Sequence, residues 1–121
     1  MDITELKRTI FCDIDGCIIK HNGSLMGKQR GAAKILRGSI TKLREWETKG
    51  YMIILTTGRK ESLRKTTEET LRSLGIQYDQ LIMGLPRGAR VIINDRKPDI
   101  EEDMAYAWSP ERNDGISNCP Y

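Results

Sequence analysis

Three short runs hold the side chains with the most chemical capacity: Asp13-Ile14-Asp15-Gly16, Thr56-Thr57-Gly58-Arg59, and Asn94-Asp95 with Asp99 four residues on. Each follows an apolar stretch, at 9–14, 51–57 and 90–94, that reads as a buried strand. If those strands are parallel, their C-terminal ends meet at one edge, where ligands of open α/β sheets bind. Three carboxylates crowded there are costly unless a cation neutralises them. Oxygen-only donors of this kind suit Mg2+, which keeps open positions for water and a phosphate oxygen. A carboxylate beside such a cation can attack phosphorus and form an aspartyl-phosphate. Asp13 is the candidate nucleophile. Asp15, two residues on, is placed to protonate the leaving oxygen and then to activate water. Gly16 permits a sharp turn, Thr57 and the Gly58 N–H can hold phosphoryl oxygens at the start of the next helix, and Asp95 completes the metal shell.

The elements that must position these residues alternate. A helix from Ser39, which offers an N-cap, carries Ile40, Leu43 and Trp46 on one face and ends at Gly50. A second, from about Lys60, carries Leu63, Thr67, Leu71 and Leu74 and ends at Gly75. Further strands are expected at 78–83 and 90–94, with an edge strand at 104–108. Residues 20–38 hold four glycines among polar residues and read as a loop or flap. Strand and helix alternation implies a parallel sheet covered on both faces, because parallel strands need crossovers that return along those faces.

The chain has 121 residues and a net charge of 20 minus 17, or +3, which fits one small domain. No apolar run reaches the roughly 18 to 20 residues of a spanning helix, and the N-terminus lacks a signal-peptide layout. A cytoplasmic protein with no membrane partner is expected. The three cysteines form no zinc pattern; Cys12 reads as a small buried hydrophobe and His21 as a polar loop residue. Between Asp15 and Glu45 seven basic residues stand without an acid: Lys20, Lys28, Arg30, Lys34, Arg37, Lys42 and Arg44. This stretch either attracts an anionic ligand or is a solvated face. Aromatics do not interleave with it, which argues against a nucleic-acid partner.

The segments FCDIDGCI, ILTTGR and VIINDRKPD, in that order across roughly residues 9 to 99, resemble motifs I, II and IV of the haloacid dehalogenase (HAD) superfamily of aspartate-nucleophile phosphatases. The resemblance implies an α/β, three-layer Rossmann-like (HAD-like) sandwich with a central, mainly parallel sheet over 1–121. It implies a flap at about 17–38 and no cap domain, because each inter-motif gap holds too little chain for one. The tail at 109–121 is expected to be less ordered. By position, Asp13 matches the nucleophile and metal ligand, and Asp15 the general acid/base that also ligates the metal. Thr57 matches the motif II hydroxyl, with Thr56 as the fallback, and Asp95 the motif IV ligand. Asn94 stands where many relatives carry another acid. The motif III lysine is missing, since the step reads Leu85-Pro86; Arg87 is the leading substitute, with Lys65 and Arg59 as others.

The implied activity is Mg2+-dependent hydrolysis of a small phosphate monoester such as a phosphosugar, by similarity to small proteins of capsular polysaccharide and sugar metabolism that share a late Arg112-Asn113-Asp114-Gly115. A homo-oligomer is in keeping with the capless subtype, which can borrow a neighbouring subunit as a lid. The alternative is a HAD-like binding or regulatory module without turnover, suggested by Leu85 and Asn94. A receiver-type signalling domain would carry its phospho-accepting Asp on a middle strand, which here ends in Thr-Thr-Gly.

Overall fold

A computed structural model describes residues 6–21 and 33–121. Residues 22–32 of the expected flap lie outside them, Lys28 and Arg30 included. Three strands, β1 (Thr9–Asp13), β2 (Met52–Thr56) and β3 (Gln80–Ile82), form a parallel sheet in the order β1-β2-β3. Helix α1 (Ser39–Thr48) connects the first pair, and a 3-10 turn (Glu61–Leu63) running into α2 (Arg64–Ser73) connects the second. Among the described residues no helix is long and apolar enough to cross a membrane.

Both helices stop at glycine for the same reason. The N–H groups of Gly50 and Tyr51 bond the carbonyls of Glu47 and Trp46, and those of Gly75 and Ile76 bond Arg72 and Leu71. This double closure needs a left-handed residue after the last turn, and the φ values of 77° at Gly50 and 76° at Gly75 supply it. The start of α1 differs from expectation. Its N-cap is Gly38, at φ 83°, while the Ser39 hydroxyl donates to the Ile18 carbonyl at 3.2 Å and ties the helix to the segment after β1.

Strand alternation assigns the two faces of the sheet. Cys12, Ile53, Leu55 and Leu81 share one face and join a single buried cluster with Leu43 and Trp46 of α1 and Leu71 of α2. The strands advance in one direction, so right-handed crossovers place both helices on that side. On the other face Phe11, Met52 and Ile82 remain exposed, at 51%, 45% and 39%. Ile54 and Thr56 of the same face are buried, at 8% exposure each. Among the described residues the three-stranded parallel sheet with two helices is a small α/β fold.

Residues 90–94, expected as a strand, are not one. The Arg90 guanidinium folds back onto the carbonyls of Pro86 and Gly88, and the Asn94 side chain donates to the Met104 carbonyl at 3.0 Å. Strand preference in Val91-Ile92-Ile93 takes effect only beside a partner strand, and none lies there. Residues 104–108 are likewise no strand; Tyr106 stacks on Tyr121 at 4.6 Å and donates to Glu102. The strand expected at 78–83 shortens to β3 because Asp79 binds Ile53 twice. Its carboxylate accepts the Ile53 N–H at 2.7 Å, and its own N–H donates back to the Ile53 carbonyl.

The tail departs from expectation in the opposite sense. Ile116 is buried in the core, and the Asn113 N–H donates to the Gly16 carbonyl at 2.9 Å. Asn113 adopts φ 69°, which asparagine tolerates, and its side chain brackets the His21 backbone, accepting from its N–H and donating to its carbonyl. Ile116→Ala should therefore cost about 2–5 kcal/mol in urea unfolding, as for a core aliphatic residue. A cost below about 0.5 kcal/mol, the level of a surface change, would show the tail to be peripheral.

Candidate active site

Asp13 closes β1 in register with Thr56 at the end of β2, so two parallel strand ends stand side by side. Immediately beyond, the chain turns hard. The N–H groups of Cys17, Ile18 and Ile19 all point at the Ile14 carbonyl, and Gly16, at φ 92°, donates to the Ile19 carbonyl at 2.7 Å. This turn aims the Asp15 side chain toward β2. There Arg59 meets it through two hydrogen bonds, Nε to Oδ2 at 2.9 Å and Nη2 to Oδ1 at 2.8 Å. Both side chains are nearly buried, with 9% of Asp15 and 12% of Arg59 exposed. The third guanidinium nitrogen, Nη1, donates to the Thr67 hydroxyl of α2 at 3.2 Å.

Arg59 reaches this position because its backbone is held on both sides. The Arg59 N–H donates to the Thr57 hydroxyl at 3.0 Å, and its carbonyl accepts from Gly84. The Thr57 backbone is fixed in turn by Ile82 and Leu85. Gly58 sits close to the segment after β3, where an added Cβ would stand 3.3 Å from the Leu85 carbonyl oxygen. The Thr57 side chain is buried, and its hydroxyl oxygen serves the Arg59 backbone.

Two thiols report the local field. Burial, with the charge of Asp13 adding to it, pushes Cys17 up to about 11. Cys12 is raised as well, chiefly by burial. Neither is a nucleophile at neutral pH, which agrees with Cys12 acting as a core residue.

The candidates separate accordingly. Asp13, Asp15, Thr57, Gly58 and Arg59 gather at the ends of β1 and β2. Asp95 does not join them: it is exposed and ion-paired with Lys97, whose hydrogen bond lowers its pKa. Arg87 and Lys65 are exposed as well. The helix dipole expected beside Gly58 is displaced, since α2 begins only at Arg64 after the 3-10 turn, whose Glu61 pairs with Arg64. Mg2+ needs several convergent oxygen donors. Both Asp15 carboxylate oxygens are occupied by Arg59, Asp95 lies elsewhere, and no metal-binding group of three acidic, histidine or cysteine residues exists among the described residues. The donors as arranged do not fit the ion.

Sequence reasoning weighed Arg59 only as a stand-in for a lysine and missed its partner. The available signal was its place two residues past a strand end, level with an acid two residues past the neighbouring one. Asn113, which locks the Gly16 turn, was visible only as part of Arg112-Asn113-Asp114-Gly115.

No family model matches the chain, and no curated protein matches it. Among solved structures it is similar to a chain of the Pnkp1/Rnl/Hen1 complex, at 27% identity and a TM-score of 0.54 over 74% of this chain and 32% of that one. It is also similar to a chain of the Pnkp1/Rnl/Hen1 RNA repair complex, at 28% identity and a TM-score of 0.54 over 74% of this chain and 29% of that one. The chain thus spans about a third of the length of these neighbours.

Removing one partner of a buried pair leaves an uncompensated charge. Arg59→Leu is therefore expected to cost about 3–5 kcal/mol in urea unfolding. Asp15→Asn added to it should recover much of that loss, and strictly additive costs in the double variant would show that the two groups do not interact.

Proposed function

We propose that the ends of β1 and β2 form the phosphoryl-transfer site of a HAD-type phosphate monoesterase. The observation that carries this reading is the buried, bidentate Asp15–Arg59 pair beside Asp13. It puts a nucleophilic carboxylate, a second carboxylate able to move a proton, and a guanidinium suited to phosphate in one place.

In the first step an Asp13 carboxylate oxygen attacks phosphorus, the bond to the ester oxygen breaks, and the departing alkoxide takes a proton from Asp15. In the second, Asp15 accepts a proton from water, whose oxygen attacks phosphorus and frees Asp13 and inorganic phosphate. Arg59 occupies both oxygens of Asp15, and a phosphate dianion competes for the same guanidinium. Substrate drawing Arg59 away uncovers the Asp15 carboxylate toward the leaving oxygen and water. Thr57 and Gly58 belong to the phosphate-binding side of this site, with Arg87 as a further candidate. The resemblance also implies Mg2+, with Asp13, Asp15 and Asp95 as the carboxylates that would hold it, and Asp95 would have to leave Lys97 to join the other two.

A small phosphorylated metabolite such as a phosphosugar is the substrate class this reading expects. A second reading, favoured by the likeness to chains of an RNA repair complex, is a phosphate at the end of an RNA strand. The basic residues before α1 suit either anion.

Release of inorganic phosphate from a panel of phosphosugars and end-phosphorylated oligoribonucleotides, with Mg2+ present, tests the proposal. The wild type should turn over at least one class, Asp13→Asn should lose turnover, and Asp15→Asn should fall about 10²- to 10⁴-fold. Turnover that survives Asp13→Asn would overturn Asp13 as the nucleophile, and none from the wild type on the whole panel would leave the binding-module alternative.

A further inference from the structure

The fold sorts the basic residues of the acid-free stretch between Asp15 and Glu45 into two kinds. Lys42 is answered within the chain, by the Glu45 carboxylate at 2.9 Å and by the Trp46 ring. Lys20, Lys34 and Arg37 are exposed, and none forms an ion pair or side-chain hydrogen bond among the described residues. The tail adds a fourth cation of the same kind, Arg112.

Backbone contacts bring these four to one surface. Ile19 and Ile35 form an antiparallel bridge, and the Lys20 N–H donates to the Lys34 carbonyl at 2.8 Å, so the two lysines stand directly opposite each other. The tail closes against the turns on both sides of this bridge. A Cβ at Gly16 would meet the Arg112 Cγ at 3.4 Å, and a Cβ at Gly115 would meet the Arg37 carbonyl oxygen at 3.3 Å. Arg112 is therefore beside the turn that presents Asp15, and Arg37 lies against the same tail three residues further on.

Like charges directly opposite on paired strands destabilise the pair. No acid relieves the two lysines: Glu111 and Asp114 flank Arg112 in sequence, yet neither forms an ion pair among the described residues. A merely solvated face interleaves its charges, as Glu45 does between Lys42 and Lys49. Cations left unpaired side by side are instead complementary to an external polyanion. Lys34 and Arg37 stand on a segment that contributes nothing to the strand ends, so one small phosphate ester bound there leaves them unmet. A chain with a phosphate in every unit meets all four.

We propose that this surface carries a single-stranded RNA, with its terminal phosphate at the ends of β1 and β2. The inference rests on the second reading of that site for its chemistry, while the binding itself does not. No aromatic residue occurs in 20–37 or 112–117, so the strand is held by its phosphates and not by stacked bases, and base sequence matters little.

The test measures binding apart from turnover. The probe is a labelled, end-phosphorylated oligoribonucleotide of about ten nucleotides, within the site sizes of single-strand binders. Four phosphate contacts predict that log affinity falls against log salt with a slope of about −3. Lys20→Gln combined with Lys34→Gln should ease that slope by about 1.4, and should raise the thermal midpoint of the free protein because the opposed charges are gone. A wild-type slope near zero, a double variant with the wild-type slope, or a lowered midpoint overturns the surface. So does displacement of the RNA by an equal concentration of polyglutamate, which would reduce the binding to unspecific charge. In phosphate release, the oligoribonucleotide should show a lower KM than a nucleoside monophosphate; equal KM values overturn the placing of the strand's end. If the wild type hydrolyses neither, the phosphatase reading fails and the salt slopes still decide the surface.

Discussion

The ion pair between Asp15 and Arg59 constrains this structure more than any other contact. Two charges so close to fully buried must satisfy each other, since either alone would pay the desolvation cost of an unpaired ion. Meeting that demand fixes three elements at once. The Gly16 turn must present Asp15 toward β2, the Thr57 hydroxyl must hold the Arg59 backbone, and α2 must bring Thr67 to the remaining guanidinium nitrogen. The tail adds a fourth constraint through Asn113 on the Gly16 carbonyl. The site is thus braced from both strand ends, one helix and the C-terminal segment.

The same pair gives the proposed chemistry its order. In the proposed chemistry a substrate phosphate competes with Asp15 for the Arg59 guanidinium, so that binding uncovers the carboxylate that must exchange a proton. Arg59 would then offer the phosphate a positive charge where the sequence lacks the lysine that the resemblance implies. The exposed Arg87 and Lys65 have no comparable bracing.

Local signals and long-range ones were unequally legible in the sequence. Gly50 and Gly75 mark helix ends because a left-handed residue is needed there whatever lies around it. The apolar runs at β1 and β2 mark strands because they are buried by their nearest neighbours in the chain. Residues 90–94 carry the same composition and form no strand, since a strand also needs an available edge, and pairing is not written in the segment itself. Ile116 and Asn113 lie in a polar, proline-flanked tail, and only the tertiary fold shows that they fill the core and lock a turn. The side chain of Asp79 replacing a strand contact at Ile53 leaves no pattern to read. Asp15 and Arg59 were visible as chemically capable residues, but a contact across 44 positions is not visible from one chain.

The claim on which the account turns is that Asp13 carries the phosphoryl group. Rapid quenching during turnover, reduction of acyl phosphate with borohydride, and mass spectrometry of the proteolysed protein would locate it. The account predicts reduction at Asp13, present only when substrate was added. Turnover with the Asp13 carboxylate unreduced, or with the modification at another acid, would contradict it.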